Sequence, residues 1–428
     1  MDSKHKVNSL VSRTKAFVNL EASNMKKSRY NYICSFENQY AIFNTFTTSV
    51  ALLSEQEYNR YLSCTFTIDE IFEFHKLGIL IDDAVDEFAI MEFDRSYFAV
   101  TNPPRYRILT TTACNAHCPY CYEHGVAPTS MTFPIADKIV QFIEKRSKIS
   151  EAIQIEWFGG EPLVNVAVID YITQKLKGDG YNFHSSMVSN GLLFTPELIS
   201  RCVNEWNLEK IQITIDGSEK VYESIKGVPS GSFFNLLSII ELLTRSVFVS
   251  VRMNVGATTK DFEVLIDQLS RRFNGNKNIF FYFYPLFENK REYSANIFNK
   301  IIFLNNKLIQ SGVATGQSIY NVRYKHTRCF ATNYRCFTIA PDGKLYNCSH
   351  IMNQNGLIGS VESFSEYNSN RLKFVRQDIS DDCKSCILFP LCKGGCRAAE
   401  LKEAPLNQCM IYKSCFDVFV KEYIQYHT

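Results

Sequence analysis

Cys114-Asn115-Ala116-His117-Cys118-Pro119-Tyr120-Cys121 follows directly on the apolar run Tyr106–Thr111. The run reads as a strand, so three thiols fall on the loop at its C-terminal end. Thiolates this close can hold three corners of a cubic 4Fe–4S cluster and leave the fourth iron open to a ligand from outside the protein. Zinc is the alternative. It lacks one protein ligand in this spacing unless His117 or His124 supplies it.

Downstream, strand and helix alternate. Thr132-Phe133-Pro134 opens a helix to about Ser147, with proline in its first turn. Ile153–Phe158 is a strand ending in Gly159-Gly160, Val166–Leu176 a helix, and Phe183–Ser189 the next strand. Thr195-Pro196-Glu197 starts a helix. Ile211–Ile215 is a strand ending at Asp216-Gly217, followed by helix Phe233–Thr244 and strand Phe248–Val255. Helix Lys260–Phe273 and strand Ile279–Tyr284 complete the series. Strands separated by helices predict a parallel sheet with right-handed crossovers. Six such units are too few for a closed eight-stranded barrel. The expected fold is therefore α/β, an open (β/α)6 partial TIM barrel that works at its C-terminal strand ends. The cysteine, Gly-Gly-Glu, Ser-Asn-Gly and Asp-Gly elements all fall at those ends.

The flanks differ. Residues 28–95 read as a hairpin, Tyr30–Phe36 and Tyr40–Phe46 around Glu37-Asn38-Gln39, then helices Ser54–Leu62 and Ile68–Lys76 and a strand Gly78–Ile81. That order predicts a small winged-helix-like module; a plain packing extension is the alternative. Asn296–Ile309 is helical, and from Cys329 the chain is cysteine-rich up to a terminal helix near Ile411–Tyr426. The expected domains are 1–100, 101–315 and 316–428.

With 428 residues and 46% hydrophobic content, the chain can bury a large core. A formal net charge of +2 gives no nucleic-acid or membrane-surface footprint. Met1–Leu20 has scattered basic residues and no continuous apolar stretch, so a cytoplasmic protein without membrane or nucleic-acid partners is expected. Fifteen cysteines are present, and in a reducing compartment clustered cysteines serve metals or catalysis more often than disulfides. Cys34, Cys64, Cys202 and Cys415 stand outside any pattern and read as small buried hydrophobes.

The Cys-x3-Cys-x2-Cys spacing, with Tyr120 before the last cysteine, resembles the signature of the radical S-adenosylmethionine (SAM) superfamily. The resemblance implies a cluster on Cys114, Cys118 and Cys121 whose open iron chelates SAM. It also implies reductive cleavage of SAM to a 5′-deoxyadenosyl radical, with the electron from a reductant such as flavodoxin or ferredoxin. Gly159-Gly160-Glu161-Pro162 matches the family's SAM-binding motif, in which Glu161 can pair with the SAM amine. Tyr120, Ser189, Asn190, Thr214, Asp216, Arg252 and Asn254 would line the same site. One departure is visible: relatives often carry His-Asp-x-x-Arg after the fourth strand, and this chain has Tyr222-Glu223-Ser-Ile-Lys226.

The distal cysteines resemble a SPASM extension, which holds two auxiliary 4Fe–4S clusters. By that pattern Cys329, Cys336, Cys348 and Cys396 hold the first, and Cys383, Cys386, Cys392 and Cys409 the second. Cys415 competes with Cys409 because neither has the usual spacing from Cys396. Two zinc sites are the alternative for eight cysteines in two sets of four. SPASM enzymes mostly modify peptides or proteins. Anaerobic sulfatase-maturating enzymes carry an Asp base after the cysteine matched by Cys348, where this chain has Ser349. The favoured expectation is thus an enzyme that matures a ribosomally made precursor peptide of leader and core. It would form a thioether, C–C or ether crosslink or another modification, with the leader read by residues 28–95. Sulfatase maturation is the alternative, and an iron–sulfur electron-transfer or regulatory protein is the non-enzymatic one.

Overall fold

The computed structural model describes residues 24–121, 123, 125–256, 259–286, 295–313, 326, 329–376, 378–400 and 408–427. Six strands form the heart of the fold: β6 (Arg105–Thr111), β7 (Ile153–Gly159), β8 (Phe183–Ser189), β9 (Leu208–Thr214), β10 (Phe248–Val255) and β11 (Ile279–Pro285). All are parallel and adjacent in sequence order. Between them run α4 (Phe133–Arg146), α5 (Val166–Gly178), α6 (Pro196–Asn204), α7 (Glu219–Lys226), α8 (Ser232–Leu243) and α9 (Phe262–Phe273), with α10 (Ala295–Gln310) after β11. The expected strands and helices are present with shifted ends. The α7 helix was not expected.

Sheets covered on both faces usually read as continuous apolar runs. Here the strands alternate instead. Ile155, Trp157, Met187, Ile213, Val251, Met253 and Phe281 are buried in one core with residues of the helices. Their neighbours on the other face are only partly buried and mostly polar: Arg107, Ser186, Gln212, Arg252 and Tyr282. Glu156 shares that face and is buried beneath two arginines. One face of the sheet is thus closed by helices and the other is a polar wall.

The cysteine-rich end extends this same sheet. A strand β12 (Cys336–Ile339) pairs parallel with β6, setting Cys336 opposite Arg105. Antiparallel β13 (Lys344–Tyr346) and β14 (Leu357–Ser360) follow. Arg146 of α4 and Arg371, itself fully buried, stack on Phe337 and Phe364 where this extension meets the helices.

At the N-terminal end β2 (Asn31–Phe36), β3 (Gln39–Asn44) and an unexpected β4 (Val50–Leu53) form an antiparallel meander. Strands β1 (Met25–Lys27) and β5 (Leu80–Asp82) pair separately. Helices α1 (Glu55–Ser63) and α2 (Ile68–Leu77) each start with a capping box, Ser54 with Glu57 and Thr67 with Glu70. A further helix, α3 (Glu87–Thr101), leads into β6. One face of the meander packs on the terminal helix Gln408–His427, joining Ala41 and Phe43 to Phe416, Val420 and Ile424 in one core. Among the described residues no helix is long and apolar enough to cross a membrane.

Candidate functional site

The cysteine loop leaves β6 and is fastened at several points. Gly159 has φ 125°, and a side chain there would place its first carbon 2.1 Å from the Thr111 carbonyl oxygen. At Gly160 the same atom would meet the Ala113 oxygen at 2.4 Å. Only glycine allows this approach, and it lets the Gly160 and Glu161 N–H groups donate to Thr111 and Ala113 at 3.0 and 2.9 Å. The glycine pair therefore docks the start of the cysteine loop on β7.

Glu161, expected to meet an amine directly, is fully buried. Its carboxylate accepts from the N–H of Leu163 (3.1 Å), the N–H of Asn190 (2.7 Å) and the Ser189 hydroxyl (2.9 Å). It thereby ties the ends of β7 and β8 together. Asn190 in turn donates to Asn115 (2.7 Å) and lies 3.7 Å from the Cys114 sulfur. Burial pushes the Glu161 pKa up to about 7 despite those donors. A carboxyl whose pKa rises on folding holds its proton more tightly in the folded chain. Its contribution is fully present below the ordinary value of 4.5 and is lost as pH rises through about 7. At ~1.4 kcal/mol per pKa unit this is at most about 3.5 kcal/mol. Denaturation of the apo chain between pH 4.5 and 8 should show this decline. Glu161→Ala should be less stable throughout but lack it, and an identical slope in the variant would refute the assignment.

The other anchor is a buried charge cluster. Asp216, at the end of β9, is fully buried, and Lys226 at the end of α7 is 4% exposed. Their charges meet at 3.1 Å. Tyr120 of the cysteine loop donates its hydroxyl to Asp216, and Asn254 of β10 donates to the other carboxylate oxygen at 2.9 Å. The Lys226 carbonyl accepts from the N–H of His117 at 2.8 Å. Burial opposes the Lys226 charge, yet Asp216 and Tyr120 hold its pKa well above normal. Burial also raises the Tyr120 phenol. Lys226 is the site residue that sequence reasoning did not assign. The only signal was the departure from the relatives' pattern.

Cys114 is exposed, and Cys118 and Cys121 are half-buried. Cys121 feels the charges of the other two, after the larger effect of burial, so the three thiols share one neighbourhood. They are free of disulfides and offer the donor set a 4Fe–4S cluster takes. A second group gathers beyond the polar wall. Burial pushes the Cys348 pKa up to about 11, with Cys329 and Cys396 adding to the shift. Cys336, also about 11, feels Cys329. Cys383 and Cys386 pack together against Tyr30 and Phe389, and Cys392 is buried close by. Cys409 and Cys415 lie on the terminal helix, but their side chains fall outside the described residues, as does His124. Among the described residues no three His, Cys, Asp or Glu side chains converge tightly enough for a single metal ion. Of the four unpatterned cysteines, Cys34 and Cys202 are buried as expected. Cys64 is not: it is exposed and caps α1 with a left-handed φ of 57°.

Thr214 sits beside Arg252 in the β9–β10 register. Arg252 donates to Asn254 at 2.8 Å and stacks on Tyr284 with its guanidinium 4.0 Å from the ring centre. Pro162 is buried, its carbonyl accepting from the Thr110 hydroxyl at 3.0 Å. Ser349, in the position where sulfatase-maturating enzymes place Asp, accepts from Arg107 at 2.8 Å. Arg107 also pairs with Glu156 at 2.6 Å.

Comparison with known proteins agrees with this geometry. The radical SAM cyclopropyl synthase TigE of Paramaledivibacter caminithermalis is 23% identical over 422 residues, covering 86% of this chain and 84% of that protein. The cysteine-type anaerobic sulfatase-maturating enzyme of Clostridium novyi is 26% identical over 354 residues, 71% of this chain and 91% of that one. Among solved structures, native anSMEcpe with bound AdoMet superposes with a TM-score of 0.60 at 17% identity, over 75% of this chain and 99% of its own. Streptococcus suis SuiB bound to precursor peptide SuiA does so with 0.50 at 12% identity, over 89% and 98%. The family profile described as "Radical SAM superfamily" matches residues 108–269. That match opens inside β6 and runs through the cysteine loop and glycine pair into α9, and on these grounds residues 108–269 are a radical SAM domain, of a superfamily that works with SAM and a 4Fe–4S cluster.

Proposed function

We propose that the chain modifies a ribosomally made precursor peptide in a chamber walled by the polar face of the sheet. The observation that carries this reading is the placement of two thiol groups at that face. The Cys114–Cys121 loop lies at the C-terminal strand ends, and Cys348 directly precedes Ser349, which is bonded to Arg107 of the wall. In this reading residues 101–315 form a partial barrel. Cys114, Cys118 and Cys121 hold the SAM-binding cluster, with Tyr120, Gly159, Gly160, Glu161, Pro162, Ser189, Asn190, Thr214, Asp216 and Asn254 around SAM. Residues 316–428 form a SPASM extension with two auxiliary clusters, on Cys329, Cys336, Cys348 and Cys396 and on Cys383, Cys386, Cys392 and Cys409. When bound, SAM and its cluster supply a 5′-deoxyadenosyl radical that takes a hydrogen atom from the peptide, with electrons from flavodoxin or ferredoxin.

The chain's own residues position and shield. Asp216 and Lys226 hold the cysteine loop, Gly159 and Gly160 let it dock, and the apolar helix-covered face keeps water from the other side of the sheet. Residues 28–95 would anchor the leader, raising the local concentration of the core peptide. Complexes of precursor peptide with SuiB support the substrate class. Ser349 disfavours sulfatase maturation. A hydroxyl that accepts from an arginine is a poor stand-in for a carboxylate base.

Two results are expected. Anaerobic reconstitution should yield about twelve iron atoms per chain, from three cubic clusters; near four irons with stoichiometric zinc would remove the auxiliary clusters from the proposal. Co-expression with short open reading frames neighbouring the gene should produce a peptide of altered mass, dependent on Cys114. Unchanged peptides throughout, alongside formylglycine in a co-expressed sulfatase, would favour the second reading.

A further inference from the structure

The polar wall carries an asymmetry of charge. Arg107 on β6 and Arg252 on β10 both face it, and His350 follows Ser349 at its edge. Glu156, on the same face, is the acidic side chain paired with Arg107. It is already shared by Arg107 at 2.6 Å and Arg105 at 3.6 Å. Burial would raise the Glu156 pKa, but those two arginines lower it.

Arg252 is placed differently. It meets no carboxylate among the described residues. Its Nε is used on Asn254, and the Tyr284 ring fixes its plane. This leaves the outer nitrogens of a half-buried guanidinium, held by the Tyr284 ring, for a ligand, and a guanidinium binds carboxylates bidentately. His350 is exposed.

We propose that Arg252 binds a carboxylate of the peptide, so that the chamber selects precursor segments with an Asp or Glu side chain at or beside the residue modified. The proposal rests on the peptide reading given above and assigns Arg252 to the substrate rather than to SAM. A carboxylate is also present on the methionyl end of SAM, so the two sources must be separated.

The probe is a random twelve-residue peptide library displayed on its encoding RNA. It is selected with SAM present on the full reconstituted chain, and in parallel on Arg252→Gln and Arg252→Lys. The selected wild-type pool should be enriched in Asp or Glu at a fixed position. Resynthesised with Gln or Asn there, the best peptide should bind about tenfold more weakly or worse. Arg252→Gln should bring that ratio near one, and Arg252→Lys should retain part of it. A pool without acidic bias, or a bias that survives Arg252→Gln, overturns the proposal. So does a variant whose only defect is weaker binding of SAM, which would give the arginine to the cofactor. If wild type enriches no peptide at all, the peptide reading itself falls, a distinct result.

Discussion

Replacing Cys114, Cys118 and Cys121 together with Ala should abolish 5′-deoxyadenosine formation from SAM with dithionite, while removing only about a third of the bound iron. The two effects are separable because the structure separates the thiols. The three loop cysteines sit beyond β6 among Asn190, Tyr120 and α7, whereas Cys348 is surrounded by Cys329 and Cys396 on the far side of β12. Loss of all iron would mean that the loop cysteines organise the whole molecule. Undiminished SAM cleavage would end the assignment of the reaction to this loop. Because the thiols are exposed or half-buried, their removal opens no large cavity. The variant should therefore melt near wild type once both are compared without iron.

Lys226→Met should be the most destabilising single change at the site, by about 3–5 kcal/mol, since it leaves the fully buried Asp216 charge without its cation. Asp216 would retain only the Asn254 and Tyr120 donors. Adding Asp216→Asn to Lys226→Met should recover much of the loss, because a neutral pair leaves no stranded charge. Chemical denaturation of the three variants without iron measures the coupling directly. If the double variant is as unstable as the sum of the two single ones, the pair is not coupled and the packing of the Lys226 alkyl chain is what matters. If Lys226→Met costs under about 1 kcal/mol, the pair behaves like an exposed one despite its burial.

These two sites were unequally legible in sequence. The cysteine spacing, the strand before it and the Gly-Gly after β7 are local patterns, and apolar periodicity alone placed all six parallel strands. Lys226 sits in Glu219–Lys226, a charged stretch with no helix signal strong enough to be assigned. Its partner Asp216 precedes Gly217 and reads as a turn. Their union depends on how α7 folds back over the end of β9, which no local pattern records. Helix α3 escaped for another reason. Its large hydrophobics, including Phe88, Ile90, Met91, Phe93, Tyr97 and Phe98, fall on several faces, and Ile90, Phe93 and Tyr97 remain exposed. The pattern therefore lacks the single stripe that marks a helix on a core. The third meander strand, Val50–Leu53, is too short to show alternation. The continuation of the sheet into β12 was hidden because Cys336-Phe-Thr-Ile339 was read for its cysteine alone.

The joint core of the N-terminal meander and the terminal helix has a consequence for biosynthesis. Phe43, among the first residues of the described structure to leave the ribosome, is completed by Phe416, Val420 and Ile424, among the last. A chain made from its N-terminus must hold that apolar surface open until the helix Gln408–His427 has been made. A stop codon that removes the helix Gln408–His427 would thus injure the distant meander, leaving β2 and β3 without a cover.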